Sequence, residues 1–275
     1  MSQTGFYSWF GFAYPLEQRI EMAKNVGFDA LITWFGPEFS QLDGDYREHA
    51  HIASRYGLKL ENAHIPYYHT DDYWQDTLDG QAILEKNLKD LEEASLCGVG
   101  CLVFHPFGQR FPKEGGSESL FVDRLMRLGD MADKTGVRLA VENLDDNALL
   151  ERILAQAGHA NVGLCYDSGH AHLHAPGDYA LLESLSKRLF ALHMHDNSGA
   201  ADEHLTPYEG TIDWKETMER IKASSYAGAF TLEAAYPVRA EGSAGEYVAP
   251  AGIGAEDYLR KMRNSCLRAL AEQGA

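Results

Sequence analysis

The sequence predicts a (β/α)8 barrel forming one domain over residues 1–275, and three observations carry that prediction. Short apolar runs alternate with helical stretches from end to end, the pattern of parallel strands joined by crossover helices. The length of 275 residues is close to that of such a barrel. The runs LKLENAH, CLVFH, RLAVE, NVGLCYD, LFALH and AFTLE each end on a metal-binding residue type, in the order His64, His105, Glu142, Asp167, His193 and Glu233. A closed parallel barrel points the carboxyl ends of all its strands at one spot, so these residues would share a single site.

Strand one is GFYSWF, and the first helix runs from Pro15 to Asn25, with Pro15 suited to a first helical turn and Gly27 to a C-terminal stop. Strand two is FDALITW, a second helix covers Tyr46 to Tyr56 before Gly57, and strand three ends at His64. The third helix spans Gln81 to Leu96, strand four ends at His105, and the Gly-rich loop FGQRFPKEGGSES leads into a helix from Leu120 to Lys134. Strands five, six and seven end at Glu142, Asp167 and His193. A helix starts at Trp214, strand eight ends at Glu233, and a last helix from Glu256 to Glu272 closes the ring. No linker divides the chain, and no repeat exceeds the β/α alternation.

Side chains two apart on a strand share a face, so Glu142 groups with Ala140, Asp167 with Cys165 and Gly163, His193 with Ala191, and Glu233 with Thr231. Those partners are small, as a crowded barrel interior requires. The opposite face carries Leu139, Val141, Leu164, Leu192, Phe230 and Leu232, suited to packing beneath surrounding helices.

Hydrophobic residues make up 45% of the chain, enough for a large core, and the formal net charge of -17 disfavours nonspecific attraction to nucleic acid or anionic membrane. The N-terminus MSQTGFYSWFGF lacks the basic and apolar regions of a signal peptide, and no run is long enough to span a bilayer. Cys97, Cys101, Cys165 and Cys266 show neither CxxC spacing nor disulfide-scaffold density. The expectation is a soluble, unprocessed cytoplasmic protein with reduced thiols.

Carboxylates and imidazoles without a thiolate make an oxygen and nitrogen site suited to a divalent ion such as Mn, Mg, Co or Zn. The core set is Glu142, Asp167, His193 and Glu233. The alternative for these four is a hydrogen-bonded polar network without an ion, which leaves buried carboxylates costly.

The motifs AHIPY at His64, VFHP at His105, AVEN at Glu142, YDSGH at Asp167 and His170, HMHD at His193, DEHLTPYEGTIDW at Asp202 and His204, and TLEA at Glu233 resemble the xylose isomerase-like TIM barrels. That superfamily holds sugar isomerases, ketose epimerases and the zinc-dependent AP endonucleases of family 2. The resemblance covers strands three to eight. For the epimerases it implies one divalent ion on Glu142, Asp167, His193 and Glu233, with the two glutamates exchanging protons with substrate and His170 touching a substrate oxygen. The chemistry is coherent: a metal on adjacent carbonyl and hydroxyl oxygens acidifies the C–H between them and stabilises the enediolate as it forms. A carboxylate on each side of the sugar plane can remove a proton from one face and return one to the other. For the endonucleases the resemblance implies three zinc ions on nine ligands, matched by His64, His105, Glu142, Asp167, His170, His193, Asp202, His204 and Glu233. Where ketose epimerases of this family place an Arg shortly after the strand-seven histidine, this chain has Asn197, Ser198, Gly199, Ala200 and Ala201.

Loop charge separates the two readings. A protein that grips a duplex needs Lys and Arg against phosphates. The loops GPEFSQLDGD, IPYYHTDDYWQDTLDG and NSGAADEHLTPYEGTID carry none, and only Arg110, Lys113 and Arg239 bring positive charge to that rim. The same shortage argues against a phosphorylated sugar. The rim is instead aromatic, with Trp9, Phe10, Trp34, Phe35, Tyr67, Tyr68, Trp74 and Tyr208 at or beyond strand ends. Aromatic faces pack against the C–H faces of sugar rings.

The reading is therefore a metal-dependent isomerase or epimerase of a small, non-phosphorylated sugar or keto-polyol, with Glu142 and Glu233 as acid/base pair. His64, His170, Trp9, Trp34, Tyr67 and Tyr208 are the substrate contacts. His105, His170, Asp202 and His204 are further metal ligands if two or three zinc ions bind, and His64, His105, Asp202 and His204 are otherwise substrate or structural contacts. His195 shares the face of His193 and is read as orienting a neighbour; His51, His69, His159, His172 and His174 are read as surface or loop residues. The alternatives are the endonuclease, a dehydratase or lyase on the same site, and a silent sugar- or metal-binding barrel, against which the two strand-end glutamates argue. The long loop AYPVRAEGSAGEYVAPAGIG is read as a lid bringing Arg239 or Tyr247 toward substrate, with a homo-oligomer contact as its alternative.

Overall fold

Side-chain alternation along the strands sorts the apolar residues into two sets, one inside a barrel and one outside it. The computed structural model describes residues 1–108, 116–236 and 252–272. It holds β1 (Thr4–Tyr7), β2 (Ala30–Trp34), β3 (Lys59–His64), β4 (Cys101–Phe104), β5 (Arg138–Glu142), β6 (Val162–Asp167), β7 (Leu189–His193) and β8 (Phe230–Leu232). Paired neighbours are parallel, in the order β7-β6-β5-β4-β3-β2-β1-β8. Contact between β7 and β8 completes the ring through Met194, whose N–H donates to the Thr231 carbonyl at 3.0 Å and whose carbonyl accepts from Glu233 N–H at 3.0 Å.

Every strand is followed by helix: α1 (Leu16–Val26) after β1, α2 (Ser40–Asp43) and α3 (His49–Arg55) after β2, α4 (Leu78–Leu96) after β3 and α5 (Glu118–Thr135) after β4. Then come α6 (Asn147–Ala157) after β5, α7 (Ser168–His174) and α8 (Ala180–Ser184) after β6, α9 (Trp214–Ala223) after β7 and α10 (Ala255–Ala271) after β8. Local capping sets several of the boundaries. Thr77 accepts from Gly80 N–H at 3.1 Å and starts α4 three residues earlier than Gln81, while Gly27 takes φ 103° and ends α1.

The two apolar sets are physically distinct. Leu139, Val141, Leu164, Leu192, Phe230 and Leu232 belong to the main core between strands and helices, each contributing about 1.5–3 kcal/mol by full burial. Cys101, Val103, Ala140, Cys165 and Ala191 form a separate small cluster inside the barrel. A register shift opposite Leu164 and Cys165 leaves Phe190 as an extra residue of β7, and Phe190 packs against this inner cluster beside Gly163. The Arg138 guanidinium lies 4.9 Å from the Phe190 ring centre at the amino-terminal end of the strands. The interior is thus filled below and open above, and the inward residues at the upper strand ends stand around that opening.

Two strand ends differ from the expected ones. His105 and Glu233 each stand one residue past their strands, although both keep the inward parity. The cysteines Cys97, Cys101, Cys165 and Cys266 are free thiols, and no helix among the described residues is long and apolar enough to cross a membrane. Arg110, Lys113, Arg239, Tyr247 and the stretch from Glu241 to Glu246 lie outside the described residues.

Candidate active site

Four strand ends bring Glu142, Asp167, His193 and Glu233 together, with one ligand atom of each within 4.8 Å of the others. His193 is the pivot. Its Nδ1 lies 3.0 Å from Glu142 Oε2 and 3.0 Å from Glu233 Oε2. Its Nε2 faces the amide oxygen of Asn62 at 3.2 Å, across the barrel from β3. His64 Nε2 and His105 Nε2 approach Glu142 Oε2 at 3.4 and 3.6 Å, and His170 Nδ1 approaches Glu142 Oε1 at 3.3 Å. Imidazoles therefore surround Glu142.

The hydrogen bonds decide which imidazole nitrogens are free to bind a cation. Each of four histidines has one nitrogen facing an acceptor, so that nitrogen donates: His64 Nδ1 to the Ile65 carbonyl at 2.7 Å, His170 Nδ1 to the Asn143 carbonyl at 3.0 Å, His204 Nδ1 to the Glu233 carbonyl at 2.7 Å, and His193 Nε2 to Asn62. Their other nitrogens point at carboxylate oxygens. Glu142 Oε2 and His193 Nδ1 are both buried and make no hydrogen bond. A bare lone pair facing a carboxylate oxygen is repulsive, so each such pair must hold either a proton or a metal cation between nitrogen and oxygen. The outer hydrogen bond on each ring also fixes tautomer and orientation, as histidines that ligate metals require. On these grounds the oxygen and nitrogen donors fit a divalent ion. Cys165 lies in reach of Glu142 and His193, but burial pushes its thiol pKa far up, so it stays protonated beneath the set.

Electrostatics point the same way. Burial alone would raise the Glu142 carboxyl, yet the imidazoles of His193, His105 and His170 reverse this and hold it well below the usual carboxylate range. Burial likewise opposes ionisation of Glu233, and His193 brings it down to about 2. Burial opposes a charge on His193, while the carboxylates of Glu233 and Glu142 raise it well above an ordinary imidazole. Both glutamates are ionised at neutral pH, and the set attracts positive charge.

A second group stands above the first. His195, Asp202 and His204 place ligand atoms within 4.8 Å of one another. His204 Nε2 lies 3.2 Å and His170 Nε2 3.5 Å from Asp202 Oδ2. Asp202 and His204 ride on the loop between β7 and α9, which is anchored by the fully buried Asp196. Its Oδ1 accepts from the N–H groups of Asn197 (2.9 Å) and Ile212 (3.2 Å), and its Oδ2 from Tyr208 N–H and Trp214 Nε1, both at 2.8 Å. Asn197 donates its side-chain amide to the Gly169 carbonyl at 2.8 Å and serves the backbone.

All nine motif residues meet at one cavity of about 770 Å³: seven line it, and Asp167 and His193 lie buried beneath. Trp9, Trp34, Tyr67 and Tyr68 line it as expected. Trp34 stacks on His64 with ring centres 5.5 Å apart, and Tyr67 stacks on His105 at 4.8 Å. The other aromatics expected there are elsewhere. Phe10 is fully buried against Phe6 and Phe12; Phe35, one residue after inward Trp34, points outward onto Tyr46; and Trp74 stacks on Phe121. Tyr208, expected to contact substrate, turns away from the cavity and lies against Arg268 of α10, 3.5 Å from the guanidinium. The reason is its backbone: φ of 74° and the bond to Asp196 aim it outward. His174, exposed as a surface residue should be, sits at the end of α7 and also lines the cavity, and Tyr7 joins it at the end of β1.

Sequence reasoning assigned no role to Asn62, Asn143 or Asp196. Asn143 of the AVEN motif pairs with Asp167, its amide donating to the Asp167 carbonyl at 2.9 Å and its oxygen accepting from Asp167 N–H at 2.8 Å. A polar amide directly after a strand-end ligand was the available signal.

The family described as xylose isomerase-like TIM barrel matches residues 20–261. An uncharacterised protein, y4fM, of Sinorhizobium fredii is 37% identical over 127 residues, 42% of this chain and 41% of the relative. Inosose isomerase of Bacillus licheniformis is 25% identical over 166 residues, 55% of this chain and 59% of the relative. The matches thus span less than two thirds of these curated relatives. Among solved structures, D-psicose 3-epimerase of Clostridium cellulolyticum H10 with D-tagatose superposes with TM-score 0.76 at 17% identity, covering 98% of each chain. The IolI protein with a bound zinc atom superposes with TM-score 0.78 at 19% identity, covering 99% of each.

Proposed function

The chain belongs to the xylose isomerase-like TIM barrel family, and on that premise we propose that it is a divalent-metal-dependent isomerase or epimerase of a small, uncharged sugar or keto-polyol. One observation carries the reading: an oxygen of Glu142 and an oxygen of Glu233 each lie 3.0 Å from His193 Nδ1, at a cavity that no lysine or arginine lines among the described residues. Glu142, Asp167, His193 and Glu233 would hold the ion. Bound there, it would supply Lewis acidity toward a carbonyl and its neighbouring hydroxyl, easing loss of the proton on the carbon between them.

The two carboxylates do the proton work. Both are ionised, the state a general base needs, and they project from strands β5 and β8 on different sides of the barrel mouth. A sugar between them presents one face to each, so one carboxylate takes a proton and the other delivers one. Trp9, Trp34 and Tyr67 pack on apolar C–H faces of the sugar, and His64 and His170 contact its oxygens. The names of the relatives, inosose isomerase and D-psicose 3-epimerase, support this substrate class. A phosphorylated sugar or an abasic duplex would bring anionic charge to a cavity lined by carboxylates and aromatics.

The second reading is a zinc-dependent AP endonuclease-type hydrolase, favoured by the convergence of the nine motif residues; a dehydratase or lyase would use the same proton-removing pair. The deciding experiment counts metals in the purified protein and follows exchange of the proton beside the carbonyl, in D2O by NMR, across ketoses and inososes. The expected result is metal-dependent exchange that chelation stops, without incision of abasic DNA. Salt-sensitive duplex binding with incision and no exchange would overturn the ranking.

A further inference from the structure

His195 is fully buried beside the proposed centre, and the proton transfer described above does not use it. We propose that His195 is a positioning residue that locks three ligand-bearing segments together and holds Asp167 in place for the ion. This inference rests on the metal-centre reading above.

The geometry is that of a clamp. His195 Nε2 lies 3.1 Å from each oxygen of Asp167; a carboxylate accepts, so Nε2–H donates. Nδ1 is then a buried nitrogen without a hydrogen-bond partner. One side of the ring rests on Gly169, where a methyl group would run into ring Cε1. The ring also stacks on His204, with centres 4.1 Å apart and planes 10° from parallel. Behind the ring, His195 N–H donates to Ser168 Oγ at 3.0 Å and the Ser168 hydroxyl returns to the His195 carbonyl at 2.7 Å. A single side chain thus touches the ends of β6 and β7 and the loop carrying Asp202 and His204.

Two properties of histidine are used at once. A flat ring fills the space between Gly169 and His204, and an edge donor reaches the Asp167 carboxylate. Asp167 is 0% exposed and has one other donor, His170 N–H at 2.7 Å, so losing Nε2–H frees it to rotate away from the ion. Residues that orient metal ligands in this way change affinity by roughly 10- to 100-fold.

The test is Co2+ affinity, read by visible absorption and calorimetry without substrate, for wild type, His195→Phe and His195→Gln. His195→Phe keeps a flat ring and loses the donor, so affinity should fall about 10- to 100-fold. His195→Gln keeps an amide donor and should recover most of that loss. Gly169→Ala leaves the imidazole in the chain but drives it from its slot, and should reproduce the loss if the Phe variant does not fold. Wild-type affinity in the Phe variant, or equal weakness of the Phe and Gln variants, would overturn the positioning role alone. A wild type that binds no Co2+ would sink the metal-centre reading and this inference with it.

Discussion

Glu142, Asp167 and His193 stand on the last residues of β5, β6 and β7 with side chains at most 2% exposed, whereas Asp202 and His204 stand on a loop with side chains 37% and 34% exposed. The deep donors inherit their positions from the strand ladders, which cannot shift without breaking the barrel. The outer pair has no ladder behind it. Its position comes from one isolated backbone bridge, Asp196 with Leu205, the Ala235 N–H bond to the His204 carbonyl, the four N–H groups gathered by the Asp196 carboxylate, the His204 bond to the Glu233 carbonyl and the stack on His195. In the deep set the strands fix the backbone of each donor and leave only side-chain orientation to neighbours, as His195 does for Asp167, whereas the outer pair depends on a few loop contacts for its backbone as well.

The comparison is tested most severely at the deep glutamates. Glu142→Gln and Glu233→Gln should each lower kcat by on the order of 10²-fold or more, the scale of positioned acid–base catalysis. Metal content must be measured in the same samples. Retained solvent-deuterium exchange in fully metallated forms of both variants would sink the two-base assignment.

Removal of the ion comes next. An ion at a hundred times its Kd stabilises the native state by about 2.7 kcal/mol, so chelation should lower Tm by roughly 5–10 °C in a chain of this size. Asp202→Ala should keep most of that metal-dependent shift, because the deep donors remain. Loss of the whole shift in Asp202→Ala would show that the two sets are one cooperative centre.

Asp196→Asn should act on the outer pair alone. It turns one acceptor oxygen into a donor facing two N–H groups, at a cost of about 1–3 kcal/mol. Hydrogen exchange over residues 197–213 should accelerate while the deep Co2+ affinity stays within a few-fold of wild type. Equal loosening of the β5 and β6 ends would break the division between strand-held and loop-held donors.

The smallest effect is a difference of sign with pH. Burial opposes a proton on His204, but Asp202 and Glu233 raise its pKa from 6.5 to about 9. Folded pKa above unfolded means this stabilisation is full below pH 6.5 and is lost as pH rises through about 9. The metal-free protein should therefore lose Tm across that interval. The metal competes with protons on His193 and His204, so metal binding releases protons and the metal-dependent gain in Tm should rise over the same interval. Parallel trends in the two forms would remove the imidazoles from the binding site.

The strand-end donors were legible because an apolar run that closes on a charged residue is a local signal, and alternation then assigns its face. Locality also explains the errors. GFYSWF stays largely apolar past Tyr7, yet the strand stops at Tyr7, which lines the cavity, and Phe10 turns into the core instead of the mouth. Phe35 and Trp74 are aromatic residues near strand ends, yet parity and helix packing turn both into the outer core. Asn62 was invisible because its partner, His193, lies 131 residues away.

By itself the sequence determined the (β/α)8 alternation, the inward face of strands five to eight and the donor chemistry of oxygen and imidazole nitrogen, since period and residue type are properties of short segments. Only the tertiary structure decided which nitrogen of each histidine faces a carbonyl or amide oxygen, which aromatics reach the cavity and that Asp196 anchors the loop of the outer pair. Those depend on hydrogen-bond partners and packing faces supplied by distant strands, and a contact across the barrel leaves no periodic trace in the chain that makes it.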